Sequence, residues 1–271
     1  MIPGTVLRIH RFLFPNHCKN DIKRHIRAYR IGRIRDAMRE LLDACGLALG
    51  LIARADAGLV EIVLRSLAVS LSAVALAGVV GLPLGAAVAL FRFPGRRAIA
   101  VLLNALMGLP PVVVGLVVYL LLSRAGPLGV LGLLFTLPAM VIAQWLLVTP
   151  IIAALARQTV EDLWAEYEEQ LRSLGATPAR AVGTLLWDGR FSLSTALLAG
   201  FGRASAEVGA VMIVGGNIDH VTRVMTTTIA LETSKGDLAL ALALGFILIL
   251  LSLGVNGSAF LIREVARGHR P

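Results

Sequence analysis

Residues 161–188 read EDLWAEYEEQLRSLGATPARAVGTLLWD and form the one long polar interruption between strongly apolar segments. Five acidic residues fall between positions 161 and 169, whereas apolar residues recur at spacings of four, four and three: Leu163, Tyr167, Leu171 and Leu174. This pattern is typical of an amphipathic helix. Gly175 tolerates the positive φ at which a helix ends, and Thr177 followed by Pro178 is typical of a helix start. The stretch therefore predicts a helix, a sharp turn and a second helix, open to a soluble partner.

Apolar residues dominate the rest of the chain. Of its 271 residues, 57% are hydrophobic and only 16% are charged, and the mean hydropathy is +0.80. A membrane span needs about 20 nearly uncharged residues to cross roughly 30 Å of hydrocarbon. Five stretches meet that requirement: 66–91, 98–122, 130–156, 191–215 and 238–262. The sequence predicts an all-α integral membrane protein with five transmembrane helices.

Positive charge is concentrated before the first span. Residues 1–37 contain nine Lys or Arg against two Asp, a net charge of +7 within a total of +9. On a membrane protein such a basic extension more often meets anionic lipid headgroups than nucleic acid. We expect residues 1–37 to be poorly ordered. Residues 38–60 hold an apolar run that is short for a span, so they predict an interfacial amphipathic helix, with a sixth span as the alternative.

The positions of Arg and Lys predict the orientation in the membrane. The short FRFPGRR loop at 91–97 carries three arginines, so this loop, the 161–188 segment and the tail 263–271 are predicted to be cytoplasmic. Residues 215–237 then face outward. Five spans place the N-terminus outside, which conflicts with its +7 charge. We therefore expect that translation begins at Met38 or that residues 1–37 are dispensable.

Two features interrupt the apolar spans. Pro110 and Pro111 remove backbone donors in the middle of the second span and predict a helix break that faces the protein interior.

Arg203 and Glu207 lie near the middle of the fourth span, where burying one charge costs at least about 2.5 kcal/mol. At a spacing of four they can pair on one helix face. Two interpretations stay open: a structural pair that neutralises itself, or a positive site at Arg203 for a crossing anion, with Glu207 keeping the affinity low.

Catalytic and metal-binding signatures are absent from the sequence. The three lysines follow no phosphate-binding glycine loop, and no HExxH, paired CxxC or GxSxG motif occurs. Cys18 and Cys45 have neither disulfide nor metal-ligand spacing. The sequence predicts no enzyme, no cofactor and no metal, and three classes remain: an energy-coupled transport subunit, a secondary transporter and a membrane scaffold. Internal repeats and several intramembrane acids would favour a secondary transporter, and a scaffold would not explain broken helices beside an ionisable pair.

Three stretches resemble one known family. EQLRSLGATPARA at 169–181 resembles the EAA loop of ABC importer permeases, in which a glutamate stands six residues before a glycine. It departs from that loop at Gln170 and Leu171, where alanines are usual, and at Asp188, where proline is usual. GLPPVVVGL at 108–116 and AEVGAVMIVGGNIDHVTRVMTTTIALET at 206–233 resemble the molybdate and tungstate branch of type I ABC importer permeases, and tungstate permeases most of all.

The resemblance covers most of residues 61–262 and implies the type I permease fold in the inner membrane of a prokaryote. It implies a homodimer of this chain, two copies of an ABC ATPase, and an external binding protein that delivers tungstate or molybdate, with another inorganic anion as the alternative. It also implies the residues that couple to the ATPase: Glu169, Leu174, Gly175, Ala176, Thr177 and Pro178. From their own chemistry, we expect Pro110, Pro111, Arg203 and Glu207 to belong to the pathway. We further expect Asn217 and Arg223 of the outward loop to contact the binding protein.

Overall fold

The computed structural model describes residues 38–54 and 57–268, with side chains described as far as residue 261. The predicted basic extension 1–37, and with it the expectation about Met38, lies outside the described residues. The described residues form ten α-helices: α1 38–54, α2 Ala57–Leu90, α3 Arg96–Leu106, α4 Pro111–Leu122, α5 Leu137–Ser173, α6 Pro178–Asp188, α7 Arg190–Ser205, α8 Gly209–Gly215, α9 Met225–Lys235 and α10 Leu238–Gly268. A 3-10 turn at Gly129–Leu131 precedes α5.

The helices account for all five predicted spans. α2, α5 and the Leu238–Leu261 part of α10 are each long and apolar enough to cross a membrane. The pairs α3–α4 and α7–α8 meet the same requirement when each pair is taken as one span, although they bend by 102° and 60°. The prediction of an all-α membrane protein is confirmed, but the second and fourth spans are broken rather than continuous.

The two prolines break the second span as predicted. α3 ends at Leu106, Pro110 is extended with a ψ of 119°, and Pro111 is the first residue of α4, where its missing N–H costs nothing. The prediction that this break faces the protein interior is wrong for the single chain. Pro110 is exposed and so is its neighbour Val112, so the break lies on an open surface of the protein and not in its interior.

α2 and α5 pack closely along one another and run in the same direction. A Cβ on Gly81 would lie 3.1 Å from the Ile152 side chain, and one on Gly85 would lie 2.4 Å from the Ala153 carbonyl oxygen. The helix backbones can approach this closely only because glycine has no side chain. The small residues of the first span therefore form a packing face.

α7 runs in the opposite direction along the same face of α5. Gly200 lies against Ile152, and Ala204, one turn further along α7, lies against Gln144, two turns earlier in α5. α2 and α5 therefore end at the same side of the bundle, where the 91–95 loop and the segment after Ser173 lie together. This arrangement agrees with the predicted orientation, in which both regions are cytoplasmic.

α5 continues without interruption through the predicted boundary between the third span and the polar stretch. It has 37 residues, about 55 Å at 1.5 Å per residue, which exceeds the roughly 30 Å of the hydrocarbon core. The helix begins at Leu137, later than the predicted start of the span at residue 130. The polar part of α5 is thus a continuous helical extension of a membrane span.

α1 buries a narrow face against the outer end of the bundle. Ala44 and Ala48 are its fully or nearly buried residues, and Ala48 packs in a cluster with Leu59 and Met225. The described helix is about 26 Å long at 1.5 Å per residue, slightly less than the hydrocarbon thickness. The interfacial position of this helix stays a prediction.

Substitution of Gly85 by alanine should destabilise the protein, because the new Cβ would meet the α5 backbone, which cannot move without shifting the whole helix. We expect a cost of about 1–3 kcal/mol, measured as a lower Tm of the purified protein in detergent. Gly245→Ala is the matched control, since a Cβ there has no neighbour within 4 Å. Equal Tm values for the two variants would contradict the packing described for α2 and α5.

The orientation can be tested with single cysteines in a chain that carries Cys18→Ser and Cys45→Ser. Arg97→Cys and Ser234→Cys place thiols at two exposed positions on opposite ends of the bundle. On intact cells an impermeant maleimide should label the cysteine at 234 and not the one at 97, whereas both should react after lysis. The reverse labelling pattern would invert the topology.

Candidate coupling segment and translocation site

The turn after α5 is a Schellman motif built on Gly175. The Ala176 amide donates to the Leu171 carbonyl and the Gly175 amide to the Arg172 carbonyl, both at 2.9 Å. Gly175 has a φ of +75°, a conformation that residues with a Cβ rarely adopt. The predicted helix stop at Gly175 is therefore confirmed by the backbone geometry.

The second helix of the segment begins where the sequence predicts. Thr177 has the extended backbone of an N-cap residue, Pro178 is the first residue of α6, and the Ala181 amide donates to the Thr177 carbonyl at 3.0 Å. The Thr177 hydroxyl itself makes no capping hydrogen bond. The start of α6 thus depends on the fixed φ of proline rather than on a side-chain cap.

The segment is anchored to the bundle by one face and exposed on the other. Ala181 and Leu185 of α6 are buried against the ends of α2 and α5, in a cluster that includes Val160. Leu163, Tyr167 and Leu171 of the predicted stripe join this cluster. Leu174, its fourth member, is 83% exposed because α5 ends one residue earlier and the chain turns outward.

Two large apolar side chains of the candidate coupling segment, residues 161–188, are exposed: Leu174 and Trp187, the latter at 71%. Glu169, Gly175, Thr177 and Pro178 are also exposed, whereas Ala176 is half-buried. Five of the six predicted coupling residues are thus accessible to a partner.

The two helix breaks lie next to each other. A Cβ on Gly115 of α4 would lie 2.7 Å from the Ala210 Cα of α8, and one on Gly209 would lie 2.9 Å from the Val112 side chain. α4 and α8 are thus in close contact at the residues that directly follow the two breaks. This packing places in one region the four residues predicted for the pathway: Pro110, Pro111, Arg203 and Glu207.

Glu207 connects the two halves of the broken fourth span. Its carboxylate is 4% exposed and accepts from the Arg203 guanidinium at 2.6 Å and from the Ala210 amide at 3.0 Å. The predicted pair exists, but the prediction that both residues share one helix face is wrong, because α7 ends at Ser205. Arg203 lies in the last turn of α7 and Glu207 precedes α8, so each charge complements the dipole of the helix end beside it.

Two side chains that the sequence analysis did not assign to the site satisfy backbone carbonyls at the same break. The Gln144 amide donates to the Ala204 carbonyl at 3.1 Å, and the Thr226 hydroxyl donates to the Glu207 carbonyl at 2.9 Å. Gln144 is an isolated polar residue within an apolar run, which is a usable signal. Thr226 is one of three consecutive threonines, and the sequence does not distinguish it from the others.

The two residues predicted to contact a binding protein are only partly exposed in the loop after α8. Asn217 is half-buried, and Arg223 is 23% exposed and pairs with Asp219 at 2.8 Å. His220 is 73% exposed, and its Nδ1 lies 2.8 Å from a Glu61 carboxylate oxygen. The contact between His220 and Glu61 spans 159 positions, and no local pattern in the sequence indicates it.

No group of three or more metal-ligating side chains occurs within the part of the chain that the structure describes. Comparison with known proteins indicates the family of the chain. Residues 81–264 match the family described as "Binding-protein-dependent transport system inner membrane component". The chain is 41% identical to the "Probable anion ABC transporter permease protein" of Haloferax volcanii, over 78% of this chain and 94% of that protein.

Two further relatives have a more specific name. The chain is 38% identical to the "Tungstate uptake system permease protein TupB" of Peptoclostridium acidaminophilum, over 84% of this chain and 100% of that protein. It is 40% identical to the protein of the same name from Campylobacter jejuni, over 61% and 70% of the two chains. The protein therefore belongs to the family of inner-membrane permeases of ABC transporters, which work with an ATPase and a substrate-binding protein.

Proposed function

We propose that this chain is the permease of an ABC importer for a tetrahedral oxyanion, most specifically tungstate, with molybdate as the nearest alternative. The observation that carries the proposal is the junction of two broken spans at Arg203, whose side chain is 30% exposed and whose partner Glu207 is buried. Half-helices that meet in mid-membrane are typical of transport sites. The names of the relatives supply the substrate class. The chain itself does not hydrolyse ATP, since its sequence has no phosphate-binding glycine loop.

The exposed break at the prolines favours a homodimer around the pathway. Among the described residues, no backbone amide donates to the carbonyls of Met107, Gly108 or Leu109, next to the exposed Pro110. Lipid cannot satisfy these carbonyls, so they must face protein or a water-lined cavity. A second copy of the chain placed against α4 would enclose such a cavity between the two subunits.

Arg203 is the group that we assign to the anion. Its guanidinium presents several donors in a fork, a geometry that matches the oxygens of a tetrahedral anion. Glu207 is held by Arg203 on one side and by the Ala210 amide on the other, so it keeps Arg203 in place and limits its affinity for a dianion. A site of moderate affinity lets the anion leave as well as enter.

The turn at Leu174 to Pro178 is the part that we assign to the ATPase. Its exposed apolar side chain at Leu174 is carried by the same helix that contacts the broken span through Gln144. Movement of a docked ATPase would therefore reach the break along α5. On the outer side, we assign the contact with the binding protein to the loop that contains Asn217 and Arg223, with His220 at its exposed tip.

Gly175→Leu should abolish tungstate uptake in a strain that lacks the native gene, while the variant stays in the membrane. The φ of +75° costs a residue with a Cβ about 1–2 kcal/mol, so the Schellman turn should reorganise and lose the ATPase. The measurement is cellular tungsten by mass spectrometry, together with co-purification of the ATPase.

Gly132→Leu is the matched control for this variant. Gly132 also has a positive φ, of 61°, and a Cβ on either glycine meets no atom within 4 Å, but Gly132 lies at the outer end of the bundle. It should suffer a similar strain and retain uptake within about twofold. Normal uptake by Gly175→Leu would mean that this turn does not couple the two subunits, and failure of any ATPase to co-purify with the unmodified chain would favour a secondary transporter.

A second experiment separates the two interpretations of Arg203 and Glu207. Arg203→Gln removes the positive site, and the double variant Arg203→Gln with Glu207→Gln restores neutrality without restoring that site. We expect both variants to lose uptake by at least about tenfold and to co-purify with the ATPase in normal amounts. Recovery of uptake in the double variant would show that the pair is structural and that the anion does not use Arg203.

A further inference from the structure

A cavity of about 550 Å³ opens at the cytoplasmic end of the bundle, away from both helix breaks and from the coupling turn. It lies between the loop after α2, the first turn of α3 and the middle of α5. Charged side chains dominate its lining, which includes four arginines and one carboxylate: Arg92, Arg96, Arg97, Arg157 and Glu161. Nothing in the proposed transport cycle uses this set of residues.

Arg96 holds the walls of the cavity together. Its guanidinium donates to the carbonyls of Val88 and Ala89 at 2.7 and 2.8 Å, and to the Glu161 carboxylate at 2.7 Å. These contacts join the end of α2, the start of α3 and α5. Glu161 also pairs with Arg157, one turn earlier in α5. The lining is therefore organised in advance of any ligand.

Positive charge exceeds negative charge in this cavity. Glu161 is shared by Arg96 and Arg157, whereas Arg92 and Arg97 are exposed and have no ion pair within the described residues. The Arg157 Nε is buried and has no hydrogen-bond partner in the same part of the chain. The N-terminus of the 11-residue α3 also borders the cavity, and its Gly95 cap has no side chain to occupy the free amides of the first turn.

We propose that this cavity binds a tetrahedral oxyanion group through Arg92, Arg97 and Arg157. Arginine forks and helix N-terminal amides both match the oxygens of phosphate-type groups. Two sources provide this chemistry: the phosphate of an anionic lipid headgroup and a free inorganic oxyanion of the cytoplasm. The cavity begins directly after Leu90, the last residue of the membrane span α2, so it lies at the end of a span, where both sources have access.

A ligand in this cavity has a direct mechanical consequence. It joins the end of α2, the start of α3 and the middle of α5, next to Val160, which packs under the coupling segment. An occupied cavity therefore stiffens the helix that carries the coupling turn. The cavity does not include Arg203, so binding in the cavity can be tested independently of the proposed transport function.

The test is thermal melting of the purified full-length chain in a nonionic detergent. One titration uses inorganic phosphate against sodium chloride of equal ionic strength, and the other uses dioctanoyl phosphatidylglycerol against dioctanoyl phosphatidylcholine. A bound ligand raises Tm with a saturable dependence on its concentration. We expect such a rise in the unmodified chain, and an apparent affinity at least about tenfold lower in the Arg92→Gln Arg97→Gln double variant.

The variants separate this site from unspecific charge effects. Arg92 and Arg97 make no described ion pair, so their replacement should not unfold the protein, and Arg97→Gln alone provides a milder second variant. Arg124→Gln removes one charge at an exposed position on the outer end of the bundle and should leave both titrations unchanged. A saturable response to phosphatidylglycerol alone identifies a lipid headgroup, and a response to inorganic phosphate identifies a free oxyanion.

Two results would overturn the proposal. One is a Tm rise of equal size and midpoint in the unmodified chain and in the double variant, which would place binding elsewhere on the protein. The other is the absence of a saturable rise with either probe, which would leave the arginines as a solvated interfacial patch. Both results come from melting temperatures and need no transport assay, so neither depends on the identity of the imported substrate.

Discussion

Hydrocarbon offers no hydrogen-bond partner to the backbone, and this constraint governs the structure around the broken fourth span. The span stops at Ser205 and resumes at Gly209, which frees polar groups in the middle of the membrane. Glu207 accepts from Arg203 and from an amide of α8. Thr226 donates to the Glu207 carbonyl, and Gln144 donates to the Ala204 carbonyl, which also accepts from the Glu207 amide. A charged residue that would be costly within a continuous helix is thus the group that makes the break stable.

α5 connects this break to the cytoplasmic surface. Gln144 contacts the break and Leu174 lies at the coupling turn, roughly 45 Å apart at 1.5 Å per residue along one helix. α2 supports α5 over much of this distance, since Gly81 and Gly85 allow the two backbones to touch. This packing supports α5 on both sides of Pro150, which removes one helix hydrogen bond. A long supported helix suits a subunit whose energy source is a separate chain.

Ion pairs occur at both ends of the helix bundle and at its middle. The outer end carries Glu61 with His220, the middle carries Arg203 with Glu207, and the cytoplasmic end carries Arg96 with Glu161. Each contact joins helices or loops that are separate elements of the fold. Together they limit how the helices can slide past one another, because breaking one contact leaves a charge or a polar group without its partner.

Much of the fold followed from the sequence by itself, and the features that did so are local. Long uncharged runs located all five spans, two adjacent prolines located the first break, and Gly175 with Pro178 located the coupling turn. Each depends on hydropathy, a missing N–H or an allowed φ, which are properties of a few neighbouring residues. The tertiary structure alone decided that Glu207 lies between two helices, that Leu174 points outward, and that Arg96 meets Glu161 across 65 positions. The reason is that a carbonyl or charge without a local partner pairs with a group on the helix that packs beside it. Which helix packs there depends on the close approach of backbones at glycines that are distant in the sequence.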